Sequence, residues 1–293
     1  MKLKLLTMSL LLTGAFAVAQ PVLAASSAVA APQSSSQSIP DPAQQIRELA
    51  RSLRANDLAA LLRAMVPPSK LREIRQVYEL KRGEPTSAED RAEFEEKLAR
   101  ITAPDAVDTL MAEFEPKLIE ARPQAAGATM MGIGALQMAI ASPESDLTEE
   151  QRATLRAALP GIQRWVTTTD FLSSVSLRQA LTLVTDAARG TGIGNLDQLK
   201  MLSFEEVLAK AGSVMAASKQ AVRIYGLDLD AILASTEVEV LEVAGTKARV
   251  RTTVTVFDAP ISGEIELVLV EGRWFGKHAL GEIDIDIDER SES

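Results

Sequence analysis

Near residue 236 the spacing of apolar side chains changes from helical to alternating, and that change constrains the fold more than any other feature of the chain. Upstream, apolar residues recur three and four positions apart, as in Ile46, Leu49, Ala50 and Leu53. Downstream, Glu237-Val238-Glu239-Val240 alternates, as do residues 249–256 and Glu264-Ile265-Glu266-Leu267. A run of helices followed by a run of strands reads as α+β, not as an alternating α/β chain. We therefore expect a multi-helix body over residues 41–234, then a C-terminal antiparallel meander sheet of three to five strands within 235–293, packed against the helices. The sheet's apolar face (Val238, Val240, Val250, Val254, Ile265, Leu267) needs a cover, and only the helices can supply it. That dependence predicts one cooperative unit.

Local signals place the helix ends. Asp41-Pro42 starts the first helix, with Gln44 completing a capping box. Asn56-Asp57 breaks or recaps it, and Pro67-Pro68 ends the second apolar stretch. Ser69 is expected to cap the next helix, and Thr86 with Glu89 the one after. Pro104 is expected to open a helix carrying Val107, Leu110, Met111 and Phe114. Thr148 with Gln151 and Ser203 with Glu206 form further capping boxes. Residues 177–188 read as helix. Gly226 stops the long helix that Ser203 starts, and Asp228 opens a short one. Gly245, residues 258–263 and Glu271-Gly272 read as turns between strands. Arg249 and Arg251 can pair across strands with Glu237 and Glu239, or with Glu264 and Glu266, at about 0.2–1 kcal/mol each.

The ends of the sequence carry their own signals. Lys2 and Lys4, an apolar run over residues 5–18 and Val22-Leu23-Ala24 have the anatomy of a secretory signal peptide in the Gram-negative style. Cleavage is expected after Ala24, which makes the periplasm the expected location. No cysteine follows it to carry a lipid, since the chain has none. Residues 25–40, rich in Ala, Ser, Gln and Pro, read as a flexible leader. At the other end, Ile283, Ile285 and Ile287 alternate with Asp284, Asp286 and Asp288. Extended, this would set three carboxylates on one face about 6–7 Å apart. Without the glycine turn of a calcium loop it reads as an edge strand or frayed acidic tail.

Composition excludes several chemistries. Without cysteine there are no disulfides, no thiol nucleophile and no cysteine-ligated metal. With His278 as the single histidine, a multi-histidine zinc site is impossible. No partner motif accompanies His278, so it reads as structural or exposed. No catalytic residue, cofactor site or metal site is assigned. Without the signal's two lysines, the formal charge falls from −9 to −11. Such an acidic chain is a poor nucleic-acid binder, because phosphate contacts need a basic surface. Charge is uneven, however: Arg47, Arg51, Arg54, Arg72, Arg75, Lys81 and Arg82 cluster early. This face is expected to meet the protein's own acidic surface, not lipid headgroups, since residues 41–66 carry no aromatic anchor.

Two stretches resemble functional motifs. Gly190-Thr191-Gly192-Ile193-Gly194 has phosphate-loop glycines, but it follows a helix and lacks the Lys-Ser/Thr of a P-loop. It reads as an interhelical loop. Residues 124–142 are uncharged and include Met130, Met131 and Met138. They are long enough to span a bilayer, yet too rich in Ala, Gly, Gln, Thr and Ser for that role. The expectation is a buried central helix. The alternative is an adaptable apolar surface, with Met130, Met131 and Met138 taking a ligand or partner.

Finally, Val268-Leu269-Val270-Glu271-Gly272-Arg273-Trp274-Phe275 forms a glycine-turned hairpin with a tryptophan strand. It resembles the last strands of the nuclear-transport-factor-2-like superfamily, and the chain resembles exported gammaproteobacterial proteins with helical bodies and this ending. The resemblance implies a curved sheet packed on helices and an apolar pocket. It transfers no catalytic residue. Together these readings predict an exported periplasmic non-enzymatic protein that binds an envelope protein or an apolar small molecule, with no nucleic acid and no stable membrane insertion after signal cleavage. The alternative is a carboxylate-dependent hydrolase acting on an envelope substrate, since a glycosidase-type acid pair leaves no local signature. The scarcity of Trp and Tyr, two of each, weighs against a sugar cleft.

Overall fold

The computed structural model describes residues 40–277. The expected signal peptide and leader up to residue 39, His278 and the Ile-Asp tail lie outside the described residues. Within them the chain is α+β. Ten helices come first: α1 (Pro42–Ala55), α2 (Leu58–Met65), α3 (Pro68–Gly83), α4 (Ala88–Thr102), α5 (Ala106–Ala141), α6 (Glu149–Thr168), α7 (Ser174–Gly190), α8 (Leu196–Met201), α9 (Phe204–Ile224) and α10 (Leu229–Ala234). Four strands follow: β1 (Glu237–Ala244), β2 (Lys247–Val256), β3 (Ala259–Val270) and β4 (Arg273–Gly276). They form one antiparallel meander in the order β1-β2-β3-β4, contacted by α1, α2, α6 and α10.

Most helix boundaries follow from local capping. Asp41 accepts from the Ala43 amide, and Pro42 occupies the first turn, where its missing N–H costs nothing. Gln44 makes no capping box; the neighbouring Gln45 is buried and donates to the Ala64 carbonyl, tying α1 to α2. Asn56 takes a left-handed conformation (φ 57°) at the end of α1, and Asp57 caps α2. The boxes Thr148/Gln151 and Ser203/Glu206 form as expected. Two others shift. Ser87 with Asp90, not Thr86 with Glu89, caps α4. Pro68, not a residue after Ser69, opens α3, because proline is pre-set for the first helical position. Pro104 lies before α5, which Asp105 precedes without a side-chain cap.

The largest departure is α5 itself. It runs unbroken for 36 residues through Pro116 and Pro123, spanning about 54 Å. Each proline removes one helical hydrogen bond, which normally ends or kinks a helix. Both prolines are exposed; Arg100 pairs with Glu113 (2.6 Å) just before Pro116, and α5 as a whole packs on α4, α6 and α7.

Two apolar clusters meet at α1. One joins Ile46 to Ala248, Val250, Leu267 and Trp274 beneath the sheet. The other joins Leu58 and Leu61 of α2 to Phe204 and Leu208 of α9. Leu49 packs against both. The sheet's expected apolar face is thus covered over Val250, Leu267, Val238 and Ile265, but Val240 is exposed. It lies next to a register shift in β1 between Val240 and Glu242. On the opposite face Glu264 accepts from Arg251 (3.0 Å) and Arg249 (3.4 Å), while Arg251 also reaches Glu239 (3.3 Å).

The β2–β3 connection is tighter than expected. Val256 pairs with Ala259, so only Phe257 and Asp258 form the turn, and residues 260–263 belong to β3. Both turn residues have positive φ (51° and 64°), the geometry that follows the strand twist. Phenylalanine rarely adopts it. Here its ring stacks on Trp165 of α6, with centroids 4.9 Å apart.

Candidate functional site

The exposed arginines of α1 bear on the question of a basic partner face. Arg47 pairs with Asp41 (3.5 Å), and Arg75 with Glu205 of α9 (2.5 Å). Arg82 reaches Glu79 and donates to the Leu202 carbonyl. Arg51 and Arg54 make no ion pair among the described residues. Exposed pairs of this kind contribute about 0–1 kcal/mol each. Replacing Arg47, Arg51 and Arg54 with Gln is therefore expected to leave the protein soluble and its melting temperature little changed. In co-sedimentation with anionic vesicles at low salt, neither wild type nor the triple variant should pellet. Salt-sensitive pelleting lost in the variant would make the membrane surface a partner.

The distal half of α5 presents a different surface. The sequence favoured a buried helix here, and the structure corrects that expectation. Met130, Met131 and Met138 are 72–75% exposed. Ile140 is buried, and Ile133 and Leu136 are half-buried on the opposite side. Neighbouring elements cover one side of the helix only, so an uncharged sequence does not translate into burial all round.

Between that half-helix and the end of α6 lies an open groove of about 670 Å³. Ala121, Ala125, Ala126 and Ala128 form its α5 wall, bordered by Met130. Val166, Phe171 and Leu172 form the other wall. The alanines leave the space that larger residues would fill. The groove is placed by a short irregular segment after α6. The Thr169 amide closes α6 onto the Trp165 carbonyl (3.0 Å), and Asp170 accepts from the Leu172 amide (3.0 Å). Arg122 clamps this segment to α5 by donating to the Leu172 carbonyl (2.7 Å), with Asp170 3.6 Å away. Arg122 and Asp170 are thus the charged groups at the rim, beside the polar Gln124, Thr129, Thr167 and Thr169.

Four of the chain's eleven aromatic residues support the second wall. Trp165 meets Phe171 edge-on (5.1 Å), Phe171 stacks on Tyr225 (6.2 Å), and Trp165 stacks on Phe257. The Trp165 indole N–H donates to the Tyr225 carbonyl (2.6 Å), and burial pushes the Tyr225 phenol above its ordinary pKa. This cluster links α6, the end of α9 and the β2–β3 turn to the groove.

The groove does not take in all three methionines. Met130 borders the groove, while Met131 and Met138 lie outside it on the outward face of α5. Sequence reasoning missed Arg122, Val166, Asp170, Phe171 and Leu172. The available signal was the pair Trp165 and Phe171 around Asp170, just after the helix. Of the glycines in residues 190–194, Gly190 ends α7, and Gly192 and Gly194 lie in its connection to α8, as expected.

Among the described residues, the carboxyls with a resolved pKa shift are all lowered. Asp90 is held below its usual range by hydrogen bonds from Ser87, and Glu206 likewise by Ser203. Glu113 is lowered by a hydrogen bond from Lys117 and by Arg100; Glu205 by its own amide and Arg75. All four are surface groups shifted toward the charged form. Among the described residues, no group of three or more His, Cys, Asp or Glu is placed to hold a metal, and no helix is long and apolar enough to cross a membrane. No family model, curated protein or solved structure matches the chain.

Proposed function

We propose that this is an exported, periplasmic, non-enzymatic binding protein, and that the groove between α5 and residues 166–172 takes an apolar small molecule. One observation carries the reading: a concave, alanine-floored groove of about 670 Å³ with Phe171, Leu172 and Met130 at its walls. That volume lies within the range of small-molecule sites, which pair a mostly apolar lining with a few polar groups. Arg122 and Asp170 supply those groups at the rim. An acyl chain or similar hydrocarbon would bury its surface against the walls and leave a polar end near Arg122. The sequence resemblance to nuclear-transport-factor-2-like domains implies an apolar pocket as well. In this chain the space under the sheet is filled by Ile46, Leu267 and Trp274, so the proposed site lies among the helices.

A carboxylate hydrolase would need an acid held up toward neutrality beside a second ionised one. The shifted carboxyls described above all move the other way, and no observation favours that reading.

Titration with the fluorescent apolar probe N-phenyl-1-naphthylamine tests the proposal. Saturable binding is expected, with a dissociation constant on the order of 1–10 μM, near −8 to −7 kcal/mol. Ala125→Trp and, separately, Ala121→Trp should each fill the groove and reduce affinity at least tenfold. Saturable binding unaffected by both substitutions, or no binding at all, would overturn the groove as the site.

A further inference from the structure

The outward face of distal α5 is left without a role by the groove. Gln124, Gly127, Met131, Gly134, Met138 and Ala141 recur at alternating spacings of three and four. That is the repeat of a helix seam made for a second helix. Gly134 is half-buried and the other five residues are exposed. A Cβ added at Gly127 or Gly134 would meet nothing within 4 Å. Within this chain, then, both glycines weaken an exposed helix and gain no close packing in return. The stretch from residue 123 to 143 carries no charge.

We propose that this face pairs antiparallel with the same face of a second copy of the chain. The pattern of large and small residues specifies the register. With a two-fold axis between Gly132 and Ile133, Met131 of each copy lies opposite Gly134 of the other. The same register sets Met138 opposite Gly127, and Gln124 opposite Ala141. Every layer then joins a long side chain to a small one, so each methionine seats over exposed backbone. A parallel pairing would stack methionine on methionine and glycine on glycine, crowding some layers and leaving voids in others. The contact is isologous and closes on itself as a dimer. No charge is buried, so no ionic desolvation penalty opposes it. An 18-residue helix pair buries on the order of 1,000 Å² in total, the threshold for a specific interface, so the dimer should be weak and concentration-dependent.

Gln124, at the end of the seam, also lines the groove, but Gly127, Met131, Gly134 and Met138 do not, so the central layers of the pairing stand apart from ligand binding there. Sedimentation velocity on the purified protein tests it. Reversible dimerisation is expected, with a dissociation constant in the range of roughly 1–100 μM. The double variant Gly127→Leu/Gly134→Leu should weaken it at least tenfold, and it favours the helix, so misfolding does not confound the result. Gly132→Ala, off the seam, should leave it unchanged. The absence of native cysteine allows a register test. A mixture of Met131→Cys and Gly134→Cys chains should form a mixed disulfide on mild oxidation, in preference to either homodisulfide. A protein that stays monomeric up to about 1 mM, or a dimer untouched by the leucine pair, would overturn the proposal. Preferential Met131→Cys homodisulfides would overturn the antiparallel register.

Discussion

Trp274→Ala is expected to cost about 3–5 kcal/mol, the range for deleting a large aromatic side chain from a packed core. Trp274 is 1% exposed and packs with Ile46, Val250 and Leu267 between the sheet and α1. Its indole N–H also donates to the Pro40 carbonyl (2.6 Å), fixing the start of α1 against β4. Truncation opens a cavity and leaves that carbonyl without its donor. Domains commonly have only about 5–15 kcal/mol of stability to lose, so the effect on the denaturation midpoint should be large. The variant also isolates a reporter. Trp165 becomes the only tryptophan, and it sits in α6, away from the lesion. In urea, Trp165 fluorescence and far-ultraviolet circular dichroism should shift to the same lower midpoint. A Trp165 transition that stays at the wild-type midpoint would mean that the helices and the sheet unfold separately, against the single cooperative unit that Leu49 and α1 suggest.

Features decided by neighbouring residues were legible in the sequence. The boxes at Thr148 and Ser203 need only a side chain and an amide three residues apart, and both form. The turns at Gly245 and Glu271-Gly272 were equally local. Where two adjacent caps competed, as with Thr86 and Ser87, the pattern misplaced the boundary by one residue. The readings that failed depended on distant parts of the chain. The helix carrying Val107 to Phe114 and the uncharged stretch over residues 124–142 were read as separate elements, whereas α5 joins them through Pro116 and Pro123. The uncharged stretch beyond them was read as buried, yet how much of a helix is covered depends on how many elements lie beside it. The groove was the least legible feature. It joins alanines of α5 to Phe171 and Leu172, some 45 residues away, and alanines facing a space look in sequence like alanines facing a neighbour. Phe257 gave no warning either. Nothing in its local sequence marks a phenylalanine that takes a positive φ in the turn and stacks on Trp165.

That contact makes Gly161→Ala the most informative small substitution in the chain. In an exposed helix, replacing glycine with alanine stabilises by about 1 kcal/mol. At Gly161 the sign should reverse. A Cβ there would collide with the carbonyl oxygen and the Cβ of Phe257, so backbone must move. The turn has little freedom to do so. Phe257 and Asp258 both hold positive φ, and the pairing of Val256 with Ala259 fixes the strands on either side. The net cost is expected to be about 1–3 kcal/mol, the usual range for overpacking. The displacement should also travel. Pushing α6 from the turn disturbs the stacking of Trp165 on Phe257, and Trp165 in turn supports Phe171 at the groove wall. Gly161→Ala should therefore lower the melting temperature and also weaken probe binding, although residue 161 does not line the groove. Gly132→Ala is the matched control, with nothing near its added methyl, and should raise stability. Thermal denaturation and probe titration of the two variants decide the matter. If Gly161→Ala proves as stable as Gly132→Ala, then α6 does not press on the β2–β3 turn, and the aromatic cluster cannot be what holds the groove wall in place.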